Sequence, residues 1–281
     1  MATRRELIDA AIALITDRYV FPDVAEKVVD VLRRNDYEHL TDIDEFAAAV
    51  TADLQAVNGD KHLRLLHEIP QPRAVSDQHG FDKVEILAGN IGYLENTRLR
   101  DPRVYGDIAA ASMTLVADTD ALIIDLRRCR GGHPAMVSLV CAYLFDESKH
   151  VNDIYSRPDD MVVQFWTPHY VPGRRFGGTK PIWVLTSSTT FSGGEELAYD
   201  LQQTGRATIV GETTRGGAHP GDWHEIAEHL YVTVPDGRAI NPKSGTNWEA
   251  VGVAPDIDIP AEDALAHACE LARNLLAEQG N

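Results

Sequence analysis

Two uninterrupted apolar runs, Ala121-Leu122-Ile123-Ile124-Asp125-Leu126 and Ile182-Trp183-Val184-Leu185, constrain this chain more than any other feature. Neither shows the alternation of a strand with one wet face, so each reads as a strand covered on both sides. Such strands need helices on both faces, and helical stretches at about 108–116, 134–144 and 193–203 are available for this. Val84-Glu85-Ile86-Leu87 and Ile91-Gly92-Tyr93-Leu94 read as two more strands across a tight turn at Gly89-Asn90, and Ala207 to Val210 as another. A final helix at about 261–278 carries Leu265, Leu271, Leu275 and Leu276. Strands alternating with helices predict an α/β domain.

The N-terminal part has a different rhythm. Leu7, Ile8, Ala11, Ile12 and Ile15 fall at helical spacing, and Pro22 opens a second helix through Val24, Val28, Val31 and Leu32. Thr41-Asp42-Ile43-Asp44 caps a third, through Phe46, Val50 and Leu54. The expected organisation is a small helical bundle over 1–70 and an α/β domain over 71–281, with Pro70 to His79 as linker.

A net charge of −17, from 43 acidic and 26 basic residues, repels phosphate backbones and anionic lipid, so nucleic acid and membranes are poor partners. Three cysteines, Cys129, Cys141 and Cys269, lack metal-ligand spacing and fit a reducing compartment. With no secretory leader pattern at the start, the expected location is the cytoplasm.

Both buried strands lead into glycine turns. After the second comes Thr190-Phe191-Ser192-Gly193-Gly194-Glu195, which enters a helix at Ser192. An anion formed there faces unpaired N–H groups and the positive end of the helix dipole, and Gly193 leaves its N–H uncovered. A plain N-cap is the competing explanation of the serine. After the first strand, Arg127-Arg128-Cys129-Arg130-Gly131-Gly132 offers the N–H of Gly131 or Gly132 as a second donor; Cys129 is read as an incidental small residue. Two weaker clusters are Gly59-Asp60-Lys61-His62-Leu63-Arg64-Leu65, read as a short strand that turns His62 to one side, and Trp248-Glu249 through Pro255-Asp256, a loop entering an edge strand. His224 and His229 stand five apart in a segment that reads as strand; a helical zinc motif needs histidines four apart, so no metal is expected.

In combination these segments, with Gly211-Glu212-Thr213-Thr214-Arg215-Gly216-Gly217, resemble the C-terminal processing (tail-specific) protease family. The branch they look most like is that of the interphotoreceptor retinoid-binding protein and the tricorn core peptidase. The resemblance implies a crotonase-like (Clp protease-type) α/β core behind the helical domain, and a serine peptidase without a cofactor. It implies Ser192 as nucleophile, His62 as general base and Glu249 as the group orienting it. Gly193 and Gly131 or Gly132 would be the oxyanion donors. Apart from the resemblance, His219 and Arg215 are candidates for lining the substrate site; for His219 a rival base and a polar loop residue are the competing readings. A homo-oligomer is compatible with this reading.

Three departures matter. Bacterial tail-specific enzymes pair their serine with a lysine in the segment matching Gly211 to Gly217, where this chain has none, and Arg215 cannot serve as a base. Residues 68–80 leave no room for the PDZ domain those enzymes insert. The tricorn core has a serine before its histidine, where this chain has Lys61. Two further functions fit the same fold: an enzyme acting on a small acyl or biosynthetic compound, and an inactive binder of retinoids or fatty acids.

Overall fold

The computed structural model describes residues 2–68 and 79–279, so the expected linker from Pro70 to His79 lies, but for His79, outside the described residues. In chain order the elements are α1 (Arg4–Arg18), α2 (Pro22–Arg34), α3 (Ile43–Ala56), β1 (Arg64–His67), β2 (Phe81–Leu87), β3 (Ile91–Asn96), α4 (Pro102–Val116), β4 (Ala121–Asp125) and α5 (Pro134–Ala142). They continue with β5 (His150–Ser156), β6 (Met161–Trp166), β7 (Ile182–Thr186), α6 (Gly193–Gln203), β8 (Thr208–Gly211), β9 (Gly221–Ala227), β10 (Leu230–Pro235), β11 (Gly237–Ile240), β12 (Ile257–Asp258) and α7 (Ala264–Gln279). Contacts group them into two compact units, one of residues 2–68, 154–163 and 219–239, the other of 79–153, 164–218 and 240–279.

In the first unit the three helices begin where local chemistry satisfies their free N–H groups. Thr3 and Glu6 form a reciprocal capping box for α1, Pro22 fills the first turn of α2, and the Asp42 carboxylate accepts the Asp44 and Glu45 N–H groups of α3. Their apolar stripes do not close on one another alone. Ile8, Ile15, Val28, Leu32, Phe46 and Leu54 share a core with Leu63, Leu65, Leu230, Val232 and Val234. The last five belong to or flank an antiparallel sheet in the order β1-β10-β9, with Leu65 opposite Val232. His224 lies on β9, while His229 sits in the following turn at φ 61°. These two histidines belong to a hairpin.

The second unit is built on a six-stranded sheet in the order β12-β8-β7-β4-β3-β2, parallel except for β2. All five residues of β4 and of β7 are buried, as their unbroken apolar runs require. One face, with Ile91, Tyr93, Ile123, Trp183 and Leu185, packs against Ala264, Ala268 and Ala272 of α7, a small-residue stripe that lets the helix approach closely. Strands β5, β6 and β11 form a third sheet in the order β11-β5-β6. Because β4 and β7 are parallel neighbours, with Ile124 beside Val184, the loops that follow them emerge side by side. That end of a parallel sheet is where α/β proteins bind ligands.

Helix α6, which leaves β7 through the Ser192 turn, is buried from Gly193 to Leu201. Two of its carboxyls, Glu196 and Asp200, lie one turn apart inside the protein; Asn241 donates its amide to Asp200 at 3.0 Å. Burial pushes Glu196 up to about 7 and Asp200 well above its ordinary value, the neighbouring Glu196 adding to the rise. A folded chain that keeps protons the unfolded chain releases is favoured at low pH. For Glu196 that contribution is complete below its ordinary 4.5 and is lost as pH rises through about 7. Glu196→Gln cannot ionise, so urea unfolding at several pH values will show a flatter fall of stability across that interval than the parent chain shows.

Candidate functional site

The turns after β4 and β7 are stitched together by side chains of the Ser187–Thr190 loop. Thr190 donates its hydroxyl to the Leu126 carbonyl at 2.8 Å, Ser187 donates to the Arg127 carbonyl at 2.6 Å, and the Phe191 N–H reaches the Cys129 carbonyl at 3.0 Å. Beneath them Asp125 is held by Arg127 and by the Tyr93 hydroxyl at 2.7 Å. Cys129 is wholly buried, and burial pushes its thiol up to about 12. It is packing, and its sulfur lies where a Cβ on Gly194 would come within 2.8 Å.

Ser192 stands half-buried at the head of α6 with φ 53° and ψ −124°. A side chain at positive φ in this region costs on the order of 1–3 kcal/mol and persists only where its surroundings enforce it. Glu195 is the enforcer. Fully buried, it accepts the Ser192 N–H at 2.8 Å, the Gly217 N–H at 2.9 Å, the Gly216 N–H at 2.6 Å and the Thr214 hydroxyl at 2.5 Å. Burial raises its carboxyl above the ordinary range, with these donors opposing the rise. Sequence reasoning gave Glu195 no part, although a serine followed three residues on by glutamate is the signature of a capping box.

The two glycine turns touch. A Cβ on Gly131 would lie 2.6 Å from Ser192 Cβ, and one on Gly193 would lie 2.9 Å from the Gly132 nitrogen. Gly132 adopts φ 151° and pairs with Leu99, where a Cβ would meet the Leu99 oxygen at 1.9 Å, so no larger residue fits. That pairing uses the Gly131 carbonyl and the His133 N–H, which leaves the Gly132 N–H on the opposite side. Among the described residues, neither the Gly132 nor the Gly193 N–H donates to any protein group. Gly132 is exposed and Gly131 buried. Two bare amides therefore stand beside the Ser192 side chain.

Glu249 joins this assembly through the chain that Glu195 holds. Its Oε2 accepts the Ala218 N–H at 2.5 Å, next to Gly216 and Gly217, and the adjoining Trp248 indole donates to the Gly217 carbonyl at 2.8 Å. Arg215 is exposed and lies over the Phe191 ring, 4.9 Å from its centroid. The second unit thus brings Ser192, Gly131, Gly132, Gly193, Arg215 and Glu249 into one connected region.

His62 and His219 belong to the first unit. The expected strand does not include His62, which sits half-buried in a turn ahead of β1. The reason is local: the Asp60 carboxylate takes the His62 N–H at 3.0 Å and bends the chain before the ladder starts. His219, expected in a polar loop, is buried, with Nδ1 2.9 Å from Asp60.

Residues 90–259 match the model of peptidase family S41, and residues 2–97 match the N-terminal domain of peptidase S41 in eukaryotic IRBP. Solved structures share the fold at low identity. A candidate peptidase from Parabacteroides merdae ATCC 43184 superposes with a TM-score of 0.71 at 16% identity, covering 97% of each chain. The photosystem II D1 C-terminal processing protease gives 0.57 at 13%, covering 97% of this chain and 98% of its own. The tricorn protease gives 0.65 at 14%, covering 99% of this chain and 37% of its own. The α/β core is thus of the crotonase-like, Clp protease type with an N-terminal helical region, and no described helix is long and apolar enough to cross a membrane. With a family model spanning most of its length, the chain belongs to peptidase family S41 and is a serine-type peptidase.

Proposed function

We propose that this peptidase hydrolyses short or unfolded peptides through an acyl-enzyme, with Ser192 as nucleophile, His62 as general base and Glu249 as the orienting carboxylate. The observation that carries the reading is the strained, half-buried serine beside the unpartnered N–H groups of Gly132 and Gly193. In the first step His62 takes the hydroxyl proton while Ser192 Oγ attacks the carbonyl carbon, and the carbonyl oxygen becomes an anion held by the two amides. The imidazolium returns its proton to the departing amine. Water, activated by the same imidazole, then releases the acyl group.

The histidine route is favoured over a lysine base by where the nearest lysines in sequence are held. No lysine stands between Gly211 and Gly217. Lys180 caps the opposite end of the sheet, donating to the Ala117 and Thr119 carbonyls ahead of β7. Lys243 bonds the Gln203 carbonyl at the far end of α6.

A fluorophosphonate probe followed by peptide mass spectrometry tests this. Labelling is expected at Ser192, abolished in Ser192→Ala and strongly slowed in His62→Ala, with Lys61→Met behaving like the parent. Labelling that survives Ser192→Ala, or that depends on Lys61 and not on His62, overturns the assignment.

The amide pair makes a separate prediction. Gly193→Ala places a methyl group 2.9 Å from the Gly132 nitrogen without demanding positive φ. The protein should stay folded by circular dichroism while acylation slows by about 10²–10³-fold, the usual cost of losing one such donor. Unchanged acylation would remove these amides from the mechanism.

A further inference from the structure

Asp60 is fully buried two residues before His62 and gathers the polar groups around it. Its Oδ1 accepts the His62 N–H at 3.0 Å; its Oδ2 accepts the Tyr19 hydroxyl at 2.9 Å and lies 2.9 Å from His219 Nδ1. Tyr19 is itself fixed by the Asn58 amide at 2.7 Å, and the His219 ring packs edge-on against Phe21 at 5.2 Å. All of these residues belong to the first unit. Within the first unit and among the described residues, the titratable groups on Asp60 are His219 from the segment entering β9, Tyr19 from the end of α1, and His62 from its own turn. Arg238 of β11 is kept to the Phe21 ring, 5.7 Å from its centroid.

Burial alone would drive such a carboxyl to hold a proton, yet the His219 hydrogen bond and the charges of His219 and His62 outweigh it and keep Asp60 below its ordinary value. The group is therefore ionised at neutral pH. The attraction is reciprocal: a carboxylate that a protonated His62 stabilises will in turn stabilise that protonated His62.

We propose that Asp60 is a positioning residue for peptide hydrolysis: it fixes the main chain that carries His62 and favours the imidazolium which His62 becomes on taking the Ser192 proton. The catalytic part of this inference rests on His62 being the base. The electrostatic part does not, and can be read without turnover. His219, bound to the same carboxylate, helps keep it ionised and so supports the effect on His62.

The test is an NMR titration of the His62 ring in Ser192→Ala protein, with and without a second substitution. Asp60→Asn should lower the His62 midpoint by about half a unit to one unit. His219→Gln, which weakens the hold on the Asp60 charge and spares the Asp60 bond to the His62 N–H, should lower it by a smaller amount. In otherwise unaltered enzyme, Asp60→Asn should lower kcat about 10-fold with little change in KM and move the acid limb of kcat/KM down with the NMR midpoint. If the His62 midpoint ignores Asp60→Asn in folded protein, the inference fails even where His62→Ala abolishes activity. Should Asp60→Asn not fold, a midpoint unchanged or raised in His219→Gln overturns it. Activity that survives His62→Ala instead strikes the assignment of the base and leaves the titration result standing.

Discussion

The contact on which the rest of the second unit depends is the abutment of two glycine turns at the ends of neighbouring parallel strands. Gly131 lies against the Ser192 side chain and Gly193 against the Gly132 nitrogen, at separations where a methyl group on either would come closer than 3 Å. Such proximity follows from β4 and β7 being adjacent and in register, and from loops stitched by Thr190 and Ser187. A serine at positive φ and two amides without protein partners among the described residues are what this contact leaves behind. Chemically, that arrangement suits the proposed role of Ser192 as nucleophile, with donors placed for a developing negative charge.

Glu195 converts the contact into a wider scaffold. One buried carboxylate reaches Ser192 on one side and Thr214, Gly216 and Gly217 on the other; Ala218 continues to Glu249. Charge-assisted bonds of this kind contribute about 1.5–3 kcal/mol each before the cost of burying the carboxylate, comparable to the strain at Ser192. In the first unit Asp60 gathers Tyr19, His62 and His219 in a similar way. In each unit one buried acid thus ties several polar groups of the candidate site together.

Much of this architecture was legible because it is local or periodic. The unbroken runs at 121–126 and 182–185 mark β4 and β7, the spacing of Leu7 to Ile15 marks α1, and the span 193–203 for α6 coincides with the helix observed. The serine and glycine turns were legible because strand, glycine and helix follow one another directly. What escaped was non-local or carried by one side chain. Residues 64–67 announce a strand, but nothing in them says that their partner is 230–233 or that this sheet completes the core beneath α1 to α3. The alternation from His62 to Leu65 resembles a ladder and predicts His62 in that strand, whereas the Asp60 carboxylate bends the chain first. Asp60 and His219, far apart in sequence, meet only through the fold.

The central claim is that the chemistry is assembled on the paired turns, with the proton passing to His62. A crystal structure of the protein inhibited by a peptidyl boronic acid tests it most directly. The account predicts boron bonded to Ser192 Oγ, one boronate oxygen within hydrogen-bond distance of both the Gly132 and Gly193 nitrogens, and the His62 ring on the opposite side of the adduct. A boronate oxygen turned away from those amides, or an adduct whose neighbouring base is Lys61 or His219, would contradict it.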